Sequence, residues 1–178
     1  MGAFLDSAYW DDLKRSKPCY QNQSLELVAE VDKQIVGIID IEKEQTPGEL
    51  CSERAGNRAM IWTVAVLPEH RRQGIARTLL DRAISWCQDQ GVTHLEAWTR
   101  DDFWVRKWYE ECGFVSFYSY WHIWLDREES RSLVQSREPN LRVISTFAHV
   151  VDGSPDELSI KPHRVHECVG YELMVPAQ

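Results

Sequence analysis

A strand, a basic turn and an amphipathic helix follow one another without interruption between Met60 and Gln90, and no other stretch of the chain restricts its fold as tightly. Met60–Leu67 (MIWTVAVL) is apolar and rich in β-branched residues, the pattern of a buried strand. Pro68 ends it. From about Gly74 to Gln90, residues Ile75, Ala76, Leu79, Leu80, Ala83, Ile84 and Cys87 form one stripe at i, i+3, i+4 spacing, and Gly91 closes the helix. Between strand and helix lies Glu69-His70-Arg71-Arg72-Gln73-Gly74. The first turn of a helix carries free N–H groups and the positive end of the dipole. Gly74 places no side chain over that turn, and Arg71, Arg72 and Arg77 surround it with positive charge. Such a turn suits an anion, phosphate above all. The stretch is neither the G-x-G-x-x-G dinucleotide fingerprint nor a P-loop, and it also reads as a solvated basic turn before a surface helix.

The rest of the chain supplies the elements around it. Residues 3–17 have helical spacing, with Phe4, Leu5, Ala8, Tyr9 and Leu13 on one side and Pro18 as the stop. Leu25–Val31 and Ile35–Ile41 read as a hairpin around Asp32-Lys33-Gln34, and 42–58 as a polar loop. His94–Thr99 is a strand, Asp101 or Asp102 caps a helix running to about Cys112, and Phe114–Leu125 is a long aromatic strand. Residues 126–140 are charged, helical or loop. Leu141–Val151 reads as a strand, Asp152–Glu157 as a turn and Cys168–Val175 as the last strand.

Composition excludes several classes. The chain has 178 residues, enough for one ordinary domain that folds without a disulfide or metal. No apolar run approaches the ~20 residues of a bilayer span, and MGAFLDSAYWDDL has acids where a signal peptide has bases. Five widely spaced cysteines without a C-x-x-C fit a reducing compartment, so a cytoplasmic location is expected and no membrane partner. A net charge of −8 argues against nucleic acid and favours a cationic partner such as an amine. Seven of the eight tryptophans lie between Trp62 and Trp124, which places the aromatic mass in the middle of the chain.

Arg71-Arg72-Gln73-Gly74-Ile75-Ala76 resembles the R/Q-x-x-G-x-G/A motif of the GCN5-related N-acetyltransferase (GNAT) family, and Lys107-Trp108-Tyr109-Glu110-Glu111-Cys112-Gly113-Phe114 resembles its F-Y-E-K-x-G-F signature. The two stand one helix and one strand apart, as in the family, and the likeness covers about residues 25–125. It implies an α/β (α+β) fold: a mixed, mostly antiparallel central sheet flanked by helices, with strands 60–67 and 94–99 splayed to form an acyl-CoA slot. It implies acetyl transfer from acetyl-CoA, a co-substrate, to the primary amine of a small molecule or peptide, without a metal. Backbone groups of Val64, Ala65 and Val66 would meet the pantetheine arm, with Val66 N–H on the acetyl carbonyl. Those of Arg71, Arg72, Gln73, Gly74, Ile75 and Ala76 would hold the pyrophosphate. Tyr109 would return a proton to the departing thiolate.

Some positions depart from the family pattern. Asp102 stands where many members have Asn, and a carboxylate cannot donate a hydrogen bond. Ala97 stands where some carry a glutamate base, while Glu96 beside it points to the opposite strand face. Asp40 and Glu42 are further base candidates, equally readable as exposed strand-end charges, and deprotonation by water alone is another route. The start is short for the family and residues 126–165 form an insertion within a single domain. The rival functional class is an acyl-CoA-binding module without turnover. A metal site at His163, His166 and Cys168 is the third reading, with no recognisable fourth ligand. The strand 141–151, with Ile144, Thr146, Ala148 and Val150 facing inward, is expected either to cover the sheet edge left open by the short start or to pair with its copy in a homodimer.

Overall fold

The structure, a computed structural model, describes residues 16, 17 and 19–177. The helix expected over 3–17 and its closing Pro18 lie almost wholly outside the described residues. The chain divides into two compact units, one formed by the residues up to Ala97 together with Glu172–Gln178, the other by Trp98–Tyr171.

In the first unit, β1 (Ser24–Val31) and β2 (Gln34–Lys43) form the expected antiparallel hairpin. Asp32 and Lys33 turn it with φ of 49° and 66°, the backbone of a two-residue turn whose twist matches its strands. β3 (Arg58–Val66) runs antiparallel to β2, and β4 (His94–Thr99) runs parallel to β3, giving the order β1-β2-β3-β4. A parallel pair needs a crossover, and α1 (Ile75–Asp89) supplies it. Leu79, Leu80, Ala83 and Cys87 of α1 are buried, as their spacing requires. The helix start lies close on β2 at Gly37, where an added Cβ would meet Ile75 at 3.0 Å and Leu79 at 3.3 Å. Val36, Ile39, Ile41, Ala59, Ile61 and Leu95 complete this core, and each large aliphatic side chain so buried contributes about 1.5–3 kcal/mol.

The second unit holds α2 (Phe103–Glu111), β5 (Val115–Leu125), α3 (Arg127–Leu133), β6 (Thr146–Val150) and most of β7 (Arg164–Met174), with strand order β7-β5-β6. β5 and β6 are antiparallel, from Leu125↔Thr146 to Trp121↔Val150. The sheet pairings are thus mixed and mostly antiparallel. Asp126 and Glu129 form a reciprocal capping box on α3.

The strand expected over 141–151 is shorter and has a different partner. Only Thr146–Val150 is extended in a ladder, and it pairs with β5 of its own chain, not with a sheet edge beside the first hairpin. Its register explains the length. Thr146 lies opposite Leu125, and Asp126 turns the partner into α3, so residues 141–145 have nothing to pair with. Within β6 the faces are as expected: Thr146, Ala148 and Val150 are half-buried while Phe147 and His149 are exposed. No helix among the described residues is long and apolar enough to cross a membrane.

Candidate active site

β3 leaves its parallel neighbour halfway along. The β3–β4 ladder runs from Arg58↔His94 to Ile61↔Ala97, yet β3 continues through Trp62 to Val66. The β2–β3 register slips at the same place: Ile41 pairs with Ile61 and Asp40 with Thr63, so Trp62 is the bulged residue. Beyond the bulge the backbone direction can be read off its bonds. Leu67 N–H donates to Val36 on β2, at 2.8 Å. By alternation Val66 and Val64 turn their N–H and C=O away from β2, and Val66 O accepts Arg71 Nε at 3.2 Å on that outer side. The same alternation turns the backbone groups of Ala65 toward β2, so of the three residues expected to meet a pantetheine arm only Val64 and Val66 offer main-chain groups outward.

After the short 3-10 turn Pro68–His70, the chain reaches the expected basic turn. Arg71, Arg72, Gln73 and Gly74 are exposed, and Ile75 and Ala76 half-buried. Arg72 has φ of 62° and Gly74, the N-cap of α1, φ of 81°. Gly74 makes no side-chain cap, so the first N–H groups of α1 are left without the oxygen that a Ser, Thr or Asp would have supplied. A Cβ built on Gly74 would meet nothing within 4 Å. Open space above exposed helix N–H groups, rimmed by arginines, fits a diphosphate.

One face of the first unit's sheet is buried and acidic. Asp40 and Glu42 of β2 and Glu44 just past its end alternate along the chain and are all buried, so Asp40 and Glu42 are not the exposed strand-end charges their position suggested. Glu42 accepts Gln21 N–H and Asn22 N–H, each at 2.9 Å, and Trp62 Nε1–H at 2.8 Å. Glu44 accepts Leu50 N–H and Cys51 N–H. Glu96 is fully buried and accepts Ser52 N–H, Ser52 Oγ–H and Arg58 Nη2–H. Each of these three carboxylates accepts backbone N–H groups that tie a loop to the sheet. Asp40 differs: its partners among the described residues are Lys17 Nζ at 2.8 Å and Tyr20 OH at 3.1 Å, both side chains. Burial alone would lower the Lys17 pKa, but its bonds to Asp40 and Glu26 more than reverse this and raise it. Burial and the Asp40 charge likewise raise the Tyr20 pKa.

Tyr109, in the second unit, is 3% exposed. It stacks on Tyr171 (ring centroids 5.6 Å apart, planes at 18°) and meets Trp108 and Phe114 edge-on. Burial raises its pKa, so the phenol holds its proton. Asp102 is the N-cap of α2 and accepts Trp104 N–H at 3.0 Å and Val105 N–H at 3.4 Å, which accounts for a carboxylate at this position. Arg106 fixes the helix to β7, donating to Glu167 Oε2 at 2.8 Å and to Glu167 O at 3.0 Å. The residues of the third reading go to different partners: His163 Nδ1 is 2.6 Å from Glu129 and His166 Nδ1 is 3.2 Å from Asp101. Sequence reasoning missed the Glu42–Trp62 bond and Arg58, whose guanidinium is 1% exposed between Glu96 and Glu172; no local pattern marks either.

The model of the acetyltransferase (GNAT) family matches residues 2–114. The chain belongs to that family. No curated protein matches the sequence. Among solved structures, it is similar to a protein assigned as a streptothricin acetyltransferase from Bacillus anthracis str. Ames in complex with acetyl coenzyme A, with 18% identity and a TM-score of 0.52 over 87% of this chain and 65% of that one. It is also similar to Ard1 from Thermoplasma volcanium (18% identity, TM-score 0.51, 85% of this chain and 70% of that one) and to the ribosomal-protein-S18-alanine N-acetyltransferase from Escherichia coli (15%, 0.50, 87% and 71%). At such identities the likeness is one of fold.

Proposed function

We propose that the chain moves an acetyl group from acetyl-CoA directly to a primary amine of a small molecule or peptide. One observation carries this reading: β3 continues past the end of its β4 ladder with Val64 and Val66 turned outward, and leads straight into the turn at the head of α1. An extended arm bearing amides pairs with such an edge as a strand would, and a diphosphate suits exposed N-terminal N–H groups. In this reading Val66 N–H faces the acetyl carbonyl, where a fixed donor stabilises the charge that develops on oxygen. Arg71, Arg72, Gln73, Gly74, Ile75 and Ala76 hold the diphosphate. Tyr109 gives its proton to the leaving thiolate, and the whole chain is one family domain with 126–165 inserted, working in the cytosol.

The test is thermal stability with added acetyl-CoA. A ligand at 100 times its Kd stabilises the native state by about 2.7 kcal/mol, which for a chain of this size is a rise in Tm of roughly 5–10 °C. Gly74→Glu puts a carboxylate where the diphosphate sits and should abolish the rise; an unchanged rise would remove this site from the reading. The tight packing of Tyr109 and the uncharged Ala97 favour a second reading, a module that binds acetyl-CoA without turnover. A panel of amines separates the two, since the module would show the stabilisation and release no coenzyme A with any of them.

A further inference from the structure

Lys17 presents a primary ammonium at a buried carboxylate beside the proposed acyl slot. Its Nζ lies 2.8 Å from Asp40 Oδ1 and 2.6 Å from Glu26 Oε2. The Asp40 side chain is only 4% exposed, while Lys17 is 49% exposed. The other carboxylates of this face each hold a loop through backbone N–H groups, whereas Asp40 holds this amine and the Tyr20 hydroxyl. Asp40 lies opposite Thr63, one residue before Val64 and three before Val66. At about 3.4 Å per residue along the strand and about 4.8 Å from β2 to β3, the amine's seat is therefore roughly 6–11 Å from the outward N–H groups, a span comparable with the reach of a half-exposed lysine.

We propose that Lys17 is an internal acetyl acceptor of this protein, with Asp40 as the base that frees its amine. The inference rests on the acetyl-CoA reading above. Asp40 takes one proton from the ammonium. The nitrogen lone pair attacks the thioester carbonyl carbon, a C–N bond forms and the C–S bond breaks. Of the two protons the nitrogen loses, one ends on the departing thiolate and the other leaves through Asp40 to water. The product is a neutral amide that can no longer pair with Asp40 or Glu26.

Purified protein incubated with acetyl-CoA and no added amine should gain the mass of one acetyl group, mapped by peptide mass spectrometry to Lys17. The initial rate constant should not depend on protein concentration, because the acceptor is in the same chain. Asp40→Asn should slow the modification by about 100-fold, the usual effect of losing a general base, while acetyl-CoA still raises Tm. Lys17→Arg keeps the ion pairs and should stay unmodified, so the inference survives if Asp40→Asn fails to fold. Lys161, 85% exposed, serves as the chemical control. If acetyl-CoA raises Tm but Lys17 is modified no faster than Lys161, the inference falls and the proposed function stands. With neither a Tm shift nor modification, both fall.

Discussion

Replacing Arg58 by Met should cost more stability than any surface change in this protein. The guanidinium is 1% exposed, and its Nη2 bonds Glu96 Oε2 at 3.0 Å and Glu172 Oε2 at 2.5 Å. Methionine fills similar space and leaves two carboxylates without their counter-charge. Glu96 is the serious loss, being fully buried, with the Ser52 N–H and hydroxyl among the donors that stay; Glu172 is 18% exposed and keeps Arg54 at 3.3 Å. Removing one partner of a buried pair costs about 3–5 kcal/mol, and the residual contacts of Glu172 place this case near the lower end. At roughly 2–4 °C per kcal/mol, Tm should fall by about 6–16 °C. Urea unfolding followed by circular dichroism measures the difference directly. The double variant Arg58→Met/Glu96→Leu removes the stranded charge as well and should recover most of the loss, because apolar replacement of a whole buried pair is often neutral. Since Arg58 begins the β3–β4 ladder, amide exchange at Ala59–Ile61 should quicken first in the single variant. A single variant within about 1 kcal/mol of wild type, or a double variant no better than the single, would refute the reasoning.

Tyr109→Phe should lower turnover by about 100-fold while the acetyl-CoA-induced rise in Tm is kept; wild-type turnover would leave the ring a packing residue of the second unit. His122 should make stability fall in acid. Burial, then the charges of Arg100, His149 and His166, lowers its pKa from 6.5 to about 4, and its Nδ1 is buried with no hydrogen-bond partner among the described residues. The folded state therefore holds the ring neutral while the unfolded chain protonates it below pH 6.5, so the contribution is complete above pH 6.5 and is lost as pH drops toward 4. The half-buried ring reduces the full linkage value to about 1–2 kcal/mol. Urea midpoints from pH 4 to 7 should flatten in His122→Phe, and an unchanged slope would exclude this residue as the source.

The parts legible in sequence are those in which local pattern and final environment agree. The stripe from Ile75 to Cys87 packs on the sheet, the run Met60–Leu67 forms the expected strand although only Met60 and Ile61 of it are buried, with Trp62 exposed at the bulge and the rest half-buried along the open edge, and Asp102 caps the helix that the spacing marked out. The illegible parts depend on segments without periodicity. Asp40 and Glu42 alternate at the end of β2, where the sequence reads them equally as base candidates or exposed strand-end charges, and Glu44 follows in the stretch that reads as a polar loop. They are buried because Lys17, Tyr20, Gln21, Asn22 and residues 50–51 come to lie against them, donating backbone N–H groups, the Lys17 ammonium and the Tyr20 hydroxyl. Nothing in an irregular segment announces where its N–H groups will go. The tail fails for a different reason: β-propensity continues through Leu141–Val151, but pairing needs a partner of equal length, and β5 ends at Leu125.

The burial of those carboxylates changes what the overall charge says about partners. Five acids among the described residues, Asp40, Glu42, Glu44, Glu96 and Glu129, are buried, and Arg58 is the one buried base, so about half of the net charge of −8 lies inside the protein. The surface is correspondingly less acidic than the composition suggests, and long-range attraction of a cation by the whole molecule is weaker. Recognition of an amine then has to come from particular groups. On the first unit's acidic face Glu42 and Glu44 are already engaged by main-chain and tryptophan donors, so a ligand could use them fully only by releasing a loop. Asp40 is held by an amine and a phenol, two groups that can exchange with an incoming ligand without unmaking a strand or a loop. A sequence-wide charge thus reduces, in this structure, to one carboxylate whose partner is already an amine.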